Sequence, residues 1–275
     1  MKNNSFACSL KSDFYRLSKL KSVWIALALI FGLTLLSFAI YWFTLNFLPE
    51  MPDMTPQEIQ QHIVLSSGRD LLYGSSSTIS LGLFIAIITC IFIGDDFSGG
   101  YVATLTARGC SRANTYFSKW LTLVILSVAY VLFGLLVSGI FYSFTTHGTV
   151  FTAQDFAYLI RNLALQILCA ISTVSIFVMI AFMARSTGAS IAISLVSYIL
   201  VGVIAGIISV VISAKYGENH STDWMSFLPF EQMNIACTNG ELTTTQTIAV
   251  SVMPIVYTAI STIIGYFTFD KKDIK

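Results

Sequence analysis

Residues 189–212 read ASIAISLVSYILVGVIAGIISVVI, a run without a charged side chain. An α-helix of about 20 apolar residues crosses the hydrocarbon core of a bilayer. Five further long apolar stretches lie on either side of this run, at about 23–47, 75–93, 120–143, 160–182 and 247–268. None shows the alternation of a membrane-spanning strand. The sequence therefore predicts an all-α integral membrane protein with six transmembrane helices in a single domain, residues 1–275.

The composition of the whole chain supports the same prediction. Charged residues make up 11% and hydrophobic residues 55% of the 275 positions, and the mean hydropathy is +0.77. A soluble domain carries roughly 25% charged residues. The net charge of +1 offers no basic field for nucleic acid. The cysteines contain no C-x-x-C pair, so we expect neither a disulfide framework nor a zinc site; they are Cys8, Cys90, Cys110, Cys169 and Cys237.

The distribution of basic residues predicts the orientation in the membrane. If the amino terminus lies inside, every lysine and arginine falls in an inner segment except Arg69, Arg161 and Lys215. Short loops rich in lysine and arginine stay in the cytoplasm. We therefore expect both termini on the cytoplasmic side, and most acidic residues, Glu231 among them, on the outer side.

A different kind of helix is predicted before the first span, over residues 1–22. Phe6, Leu10, Phe14 and Leu17 recur at spacings that place them on one helical face. The basic residues of this segment fall mostly elsewhere, which is typical of an amphipathic helix in the membrane interface. The alternative is a basic flank that only fixes the topology.

The predicted spans carry no acidic residue, lysine or histidine near their centres. Charges inside a membrane mark the pathways of ion-coupled carriers. If this protein transports a substrate, we expect the energy to come from another source. We also expect a pathway that is mainly apolar and hydroxylic.

The most informative segment joins the second and third predicted spans, where residues 94–119 read GDDFSGGYVATLTARGCSRANTYFSK. A simple turn needs far fewer residues. After two aspartates and a pair of glycines, a short helix is predicted over 101–106, followed by a break at Gly109. Ser111 is a candidate cap for a second helix from Arg112. The segment therefore predicts a short helix pair under the bilayer and a surface for another protein. The alternative is that its charges only solvate a loop.

An ordered set of residues runs through this segment: acidic, aromatic, glycine, apolar, arginine, glycine, Ser-Arg, and a lysine before the third span. They are Asp96, Phe97, Gly100, Leu105, Arg108, Gly109, Ser111, Arg112 and Lys119. In this order they resemble the coupling-helix segment of type-2 ABC exporter permeases. The stretch FTFDKKDI at 267–274 is similar to the tail of the same family. Asp96 stands where glutamate is more usual, and Tyr101 where threonine often follows the glycine.

The resemblance implies the membrane subunit of an ABC exporter, without catalytic residues, cofactor or metal of its own. The chain has no G-x-x-x-x-G-K-[ST] motif, so ATP and Mg²⁺ are expected on a separate ATP-binding subunit that docks at 94–119. The family also implies a second permease copy, identical or not, in a bacterial cell membrane. Bacterial peptide-export and bacteriocin-immunity permeases look most similar, which implies an amphipathic cargo such as an antimicrobial peptide, a lipid-like molecule or a drug.

Two features each leave two interpretations open. Gly202 and Gly206 form a G-x-x-x-G in the fifth span, a motif that lets helices approach closely. The resemblance places this span near the interface between permeases, and packing within one subunit is the alternative. Residues 213–246 carry several aromatic side chains. The resemblance implies short helices that re-enter the outer leaflet, and the alternative is anchoring at the headgroups.

Two other functions stay open at this point. A non-transporting membrane scaffold or sensor would bind a cytoplasmic partner through the same segment, 94–119. An uncoupled channel is less favoured, because no ring-forming charge or filter-like motif is visible in the sequence.

Overall fold

The computed structural model of the chain describes residues 5–47, 79–107, 109–145, 153–216, 224–236 and 242–271. Within these ranges the ordered elements are helices, and no strand is present. In chain order they are α1 (Ser5–Lys19), α2 (Lys21–Phe47), α3 (Ile79–Ser98), α4 (Tyr101–Ala107), α5 (Arg112–Thr145), α6 (Ala153–Ala184), α7 (Thr187–Tyr216), α8 (Glu231–Ala236) and α9 (Thr244–Lys271).

Six of these helices are long and apolar enough to cross a membrane. They are α2, α3, α5, α6, α7 and α9, and they correspond in order to the six predicted spans. The prediction of an all-helical chain with six candidate membrane spans is confirmed.

One predicted helix boundary is wrong. The second short helix expected after Gly109 is not a separate element, because α5 begins at Arg112 and continues into the third span. The residues between Arg112 and Trp120 include neither glycine nor proline, so nothing in the local sequence interrupts the helix. The short helix of this segment is α4 alone.

The central helix of the bundle is α6, which packs against α3, α5, α7, α8 and α9. Ala170, Val174, Phe177, Val178 and Ala181 recur at helical spacing along it and are fully enclosed. At the other extreme, only 6% of the α7 span is buried within the chain. Most of the α7 surface is therefore available to lipid or to another chain.

One end of the bundle gathers α1, α4 and the nearby ends of the long helices. The Thr187 hydroxyl donates to Asp95 Oδ1 at 3.0 Å, which joins the start of α7 to the last turns of α3. The Arg112 guanidinium donates to the carbonyl of Asp270, which joins the start of α5 to the end of α9. We call this end the α4 end. Most of the described basic residues lie there: Lys11, Arg16, Lys19, Lys21, Arg112, Lys119, Arg185 and Lys271.

Candidate functional site

Two glycine turns connect α4 to the helices before and after it. Gly100 and Gly109 have φ angles of 68° and 84°, in the left-handed region that glycine adopts without steric cost. The Gly100 amide donates to the Phe97 carbonyl at 3.2 Å, and the Gly109 amide donates to the Thr106 carbonyl at 3.0 Å. Each turn therefore closes on the helix that precedes it, and α4 is a discrete element between α3 and α5.

The predicted cap at the start of α5 is present. The Ser111 hydroxyl accepts the backbone N–H of Asn114 at 3.2 Å, and the Ser111 carbonyl accepts that of Thr115 at 3.1 Å. This is the geometry of a helix N-cap, in which a side-chain oxygen satisfies a free amide of the first turn.

Three charged side chains are fully enclosed where α1, α3 and α5 meet: Asp13, Asp96 and Lys119. The Lys119 ammonium donates to Asp13 Oδ1 at 3.3 Å and also to Asp96 Oδ2. The Arg16 guanidinium, on a side chain that is 31% exposed, donates to the other oxygen of Asp96. Two carboxylates and two cations thus neutralise one another. We call these four residues the charge cluster.

Hydroxyl groups complete the charge cluster on the side of α1. Ser118 Oγ donates to Asp13 Oδ2 at 2.8 Å, and Ser9 Oγ lies 3.1 Å from Ser118 Oγ. A buried ion pair is tolerated only when its remaining polar atoms are also hydrogen-bonded. These contacts therefore fit α1 to α5 through a specific polar surface.

The face of α1 that packs on the bundle differs from the predicted apolar face. Ser9, Asp13 and Leu17 are buried, whereas Phe6, Leu10 and Phe14 stay partly exposed. Ser9, Asp13 and Leu17 follow one another at intervals of four residues, so they share one helical face. Leu17 was predicted to belong to the apolar face but lies in the core.

Tyr101, the first residue of α4, connects α4 to the charge cluster. Its ring centroid lies 4.0 Å from Arg16 Cζ and 5.1 Å from Lys119 Nζ, within the range of cation–π attraction. Its hydroxyl lies 3.1 Å from Ser12 Oγ. One side chain of α4 therefore touches cations of both α1 and α5.

The ionisation of Arg16 is secured by its partner. Partial burial lowers the pKa of Arg16, but the hydrogen bond and the ion pair with Asp96 outweigh this effect and raise the pKa above its usual value. The guanidinium therefore keeps its charge at any physiological pH. Its Nη1 atom is buried without a hydrogen-bond partner in the described part of the chain.

The residues matched to the coupling segment do not form one surface. Asp96 and Lys119 lie inside the bundle, and Phe97 packs against aromatic rings of α6 and α9. Arg108 lies outside the described residues. The described members with surface exposure, in part or in full, are Phe97, Gly100, Leu105, Gly109, Ser111 and Arg112. In this conformation any coupling role of Asp96 and Lys119 would be internal.

Sequence analysis did not single out Asp13 or Arg16. The available signal was weak: Ser9, Asp13 and Arg16 are spaced by four and three residues, so they form a polar stripe beside the apolar face of α1. An isolated acid among the basic residues of an interfacial helix is the pattern that could have been noticed.

The G-x-x-x-G of α7 makes no close contact within the described part of the chain. A Cβ atom added to Gly202 or Gly206 would meet no atom within 4 Å. The close approach of α7 to α3 is instead at Gly94, where an added Cβ would lie 2.8 Å from the Thr187 backbone nitrogen. Packing of the motif within one subunit, one of the two interpretations, is therefore not observed.

An apolar cavity of about 460 Å³ lies between α5, α6 and α9. Its wall includes Trp120, Leu168, Ile171 and Pro254. Trp120 is held by an indole N–H that donates to Ser175 Oγ at 2.9 Å. The volume is within the range of cavities that hold small organic ligands.

Residues 224–236 form a turn and the short helix α8, and they enter the bundle. The Tyr257 hydroxyl donates to the Phe227 carbonyl at 2.6 Å. Tyr257 lies about 20 Å from either end of α9, at 1.5 Å of rise per residue. The ring of Phe230 lies 4.7 Å from that of Tyr198, which is about 16 Å along α7 from the α4 end.

Glu231, the first residue of α8, therefore lies near the mid-height of the bundle. Sequence analysis placed it in the segment between the fifth and sixth spans, on the outer side, and that side stays a prediction. Phe227, Leu228 and Phe230 are apolar and carry the turn between the long helices. Residues 224–236 therefore pack beside the middle parts of α7 and α9 and not at the ends of these helices. Re-entry of this segment into the outer leaflet stays a prediction.

The described residues contain no group of three or more histidine, cysteine, aspartate or glutamate side chains that could hold a metal ion. The charge cluster is not an exception, because Lys119 and Arg16 already neutralise its carboxylates.

One comparison with known proteins assigns the chain to a family. A family model described as a protein of unknown function (DUF2705) matches residues 60–275. No curated protein matches the sequence. The matched region includes Asp96, Lys119 and Glu231 but not α1 with Asp13 and Arg16. Because the match covers well over half of the chain, this protein belongs to the DUF2705 family of proteins of unknown function.

Proposed function

We propose that this chain is the permease subunit of an ABC exporter in a bacterial cell membrane. It moves an amphipathic cargo out of the cell by alternating access, driven by a separate subunit that binds ATP and Mg²⁺. The proposal combines the residue pattern of 94–119 with the position of that segment at one end of a bundle of six candidate spans.

The charge cluster is the observation that carries this proposal. Two glycine turns connect α4 to α3 and α5. Tyr101 of α4 contacts Arg16 and Lys119, the cations that bind Asp96 and Asp13. A displacement of α4 would therefore disturb contacts that hold α1, α3 and α5 together. Packed interfaces switch between discrete arrangements and do not deform continuously. A docked ATPase that moves α4 would therefore change the arrangement of the spans.

The residues of the segment then have two roles. Leu105, Gly109, Ser111 and Arg112 retain surface exposure and offer the contact to the ATPase. Asp96, with Lys119, Phe97 and the Gly100 turn, transmits the movement to the bundle.

The orientation follows from the basic residues at the α4 end. Those residues lie on the cytoplasmic side according to the positive-inside rule, which puts both termini and the ATPase there as well. The partly exposed apolar residues of α1, Phe6, Leu10 and Phe14, would lie in the membrane interface, as an amphipathic helix does.

A second permease copy, identical or a sibling, would pack against α7. Only 6% of this span is buried within the chain, and nothing in the described structure occupies the space beside Gly202 and Gly206. Small residues at this spacing allow close approach of a helix from another subunit.

The cavity between α5, α6 and α9 supports an amphipathic cargo. Its lining is almost entirely apolar, so it suits the apolar part of such a molecule rather than an ion. Movement of α5 by the charge cluster would also move Trp120 in the cavity wall, because Trp120 directly follows Lys119.

Co-purification of this chain with an ATP-binding subunit from its own cells tests the proposal. The Arg108→Glu/Arg112→Glu double variant should insert normally but lose the ATPase or uncouple hydrolysis from export. A matched control, Arg161→Glu/Lys215→Glu, makes the same charge change at the opposite end of the bundle and should keep both. The proposal fails if no ATPase binds the parent chain. If the bound partner has no ATP-binding site, the scaffold or sensor is the better function.

A further inference from the structure

Glu231 lies beside the middle parts of the long helices. At that height the described candidate spans carry no acidic side chain of their own. The contacts of Phe227 with Tyr257 and of Phe230 with Tyr198 place Glu231 near the mid-height of α9 and α7. An ionisable residue at that depth in a membrane is costly and is retained mainly for function. The carboxylate therefore needs a partner.

The partners within the chain are neutral. Asn234 donates its amide N–H to Glu231 Oε2 at 2.8 Å. Tyr198 lies near enough for an electrostatic interaction with the Glu231 carboxylate. No lysine or arginine among the residues that the structure describes pairs with Glu231. Asp13 and Asp96 differ from Glu231 because each of them pairs with a cationic side chain. Glu231 is partly exposed, so it is also accessible to a ligand.

The surroundings of Glu231 are aromatic. The ring of Phe230 is buried and packs against those of Tyr198 and Phe177, with centroid distances of 4.7 and 5.6 Å. Of these three rings, only that of Tyr198 is partly exposed. A tyrosine ring near a carboxylate is a combination that recognises organic cations, because the ring quadrupole and the negative charge attract the same group. An inorganic cation would instead require several oxygen ligands.

The next residue, Gln232, carries buried polar atoms that need hydrogen-bond partners. Gln232 is fully buried, and neither its amide nitrogen nor its amide oxygen has a hydrogen-bond partner in the described part of the chain. Buried amide groups are almost always hydrogen-bonded in folded proteins. A ligand or water beside α8 would supply the missing partners.

From these observations we infer that Glu231, with Tyr198, binds the positively charged group of a lipophilic ammonium or guanidinium compound within the membrane. This inference rests on the proposed function and narrows its cargo to cationic amphipathic molecules. It also adds one acidic side chain to the pathway that was expected to be mainly apolar and hydroxylic.

Binding to the purified chain in nanodiscs of phosphatidylcholine, without any ATPase, tests the inference. The probes are a dansyl-labelled dodecyl trimethylammonium ion and a neutral dansyl-labelled dodecyl alcohol. The parent chain should bind the cation at least about tenfold more tightly than the alcohol. Glu231→Gln should remove this difference, since the amide keeps an acceptor for Asn234 but carries no charge. The control Asp270→Asn, which removes an exposed carboxylate at the α4 end, should leave the difference unchanged.

A second measurement uses the parent chain and needs no variant. A lipid-soluble carbodiimide reacts with carboxyl groups inside membranes, and mass spectrometry should find it on Glu231. The cationic probe should protect Glu231 at least about fivefold, whereas the neutral probe should not protect it.

Equal binding of the two probes by the parent chain would overturn the inference. So would preferential cation binding that survives in Glu231→Gln, or labelling of Glu231 that the cation does not slow. Because no ATPase takes part, loss of ATPase co-purification alone would refute the exporter and leave the cation site standing. The reverse result would refute only the cation site.

Discussion

Lys119→Met removes the cation that two buried carboxylates share. Asp13, Asp96 and Lys119 are all fully enclosed, and Lys119 donates to both acids. Methionine has a similar length and fits an apolar environment, so the change affects charge more than volume. After the substitution, Asp96 keeps Arg16 as a partner, but among the described residues Asp13 is left with the Ser118 hydroxyl as its donor.

The cost follows from this geometry. Breaking a buried ion pair by removing one partner costs about 3–5 kcal/mol, because the remaining charge is buried without compensation. For a chain of this size each kcal/mol corresponds to about 2–4 °C in Tm, so the Tm should fall by about 6–20 °C. Thermal unfolding of the purified protein in detergent, followed by tryptophan fluorescence, measures the shift. Lys11→Met, on the exposed side of α1, is the matched control and should change little.

Adding Asp13→Asn to Lys119→Met distinguishes charge balance from simple loss of contacts. The double variant retains one carboxylate, Asp96, and one cation near it, Arg16, so it is balanced again. We expect it to be more stable than Lys119→Met alone by about 0.5–3 kcal/mol. A Lys119→Met chain as stable as the Lys11→Met control, or a double variant less stable than the single one, would refute this reasoning.

Three further predictions concern topology and packing. In single-cysteine chains in intact cells, an impermeant maleimide should label an introduced Glu58→Cys from outside and Cys110 only after permeabilisation, because the basic α4 end faces the cytoplasm. Gly94→Ala should lower the free energy of unfolding by about 1–3 kcal/mol, since its Cβ meets the backbone of α7. The Gly202→Leu/Gly206→Leu double variant should reduce cross-linking between two copies of this chain. Its Tm should not fall, because no atom of the described structure occupies the space beside the two glycines.

Each of these predictions has a result that contradicts it. Labelling of Cys110 in intact cells would reverse the orientation. An unchanged Tm for Gly94→Ala would mean that α3 and α7 do not approach as closely as described, and Gly202→Ala is the control at an open position. A loss of Tm in the double leucine variant would show that α7 packs within its own chain through that face.

The sequence by itself determined the class of fold and the local elements. In lipid each backbone polar group must be satisfied within its own segment, so the length of an apolar run is enough to predict a spanning helix. The six runs became six long helices. α4 and the cap at Ser111 were also predictable, because glycine turns and caps depend on a few neighbouring residues.

Only the tertiary structure decided which charges are paired and how deep Glu231 lies. Asp13 and Lys119 are 106 residues apart, and a helical periodicity carries no information about a partner so distant in the chain. The described segment 224–236 is too short for hydropathy to recognise as a membrane segment. Its depth comes from the aromatic contacts with α6 and α7. Local patterns fix helices, whereas burial of a charge depends on how separate helices pack.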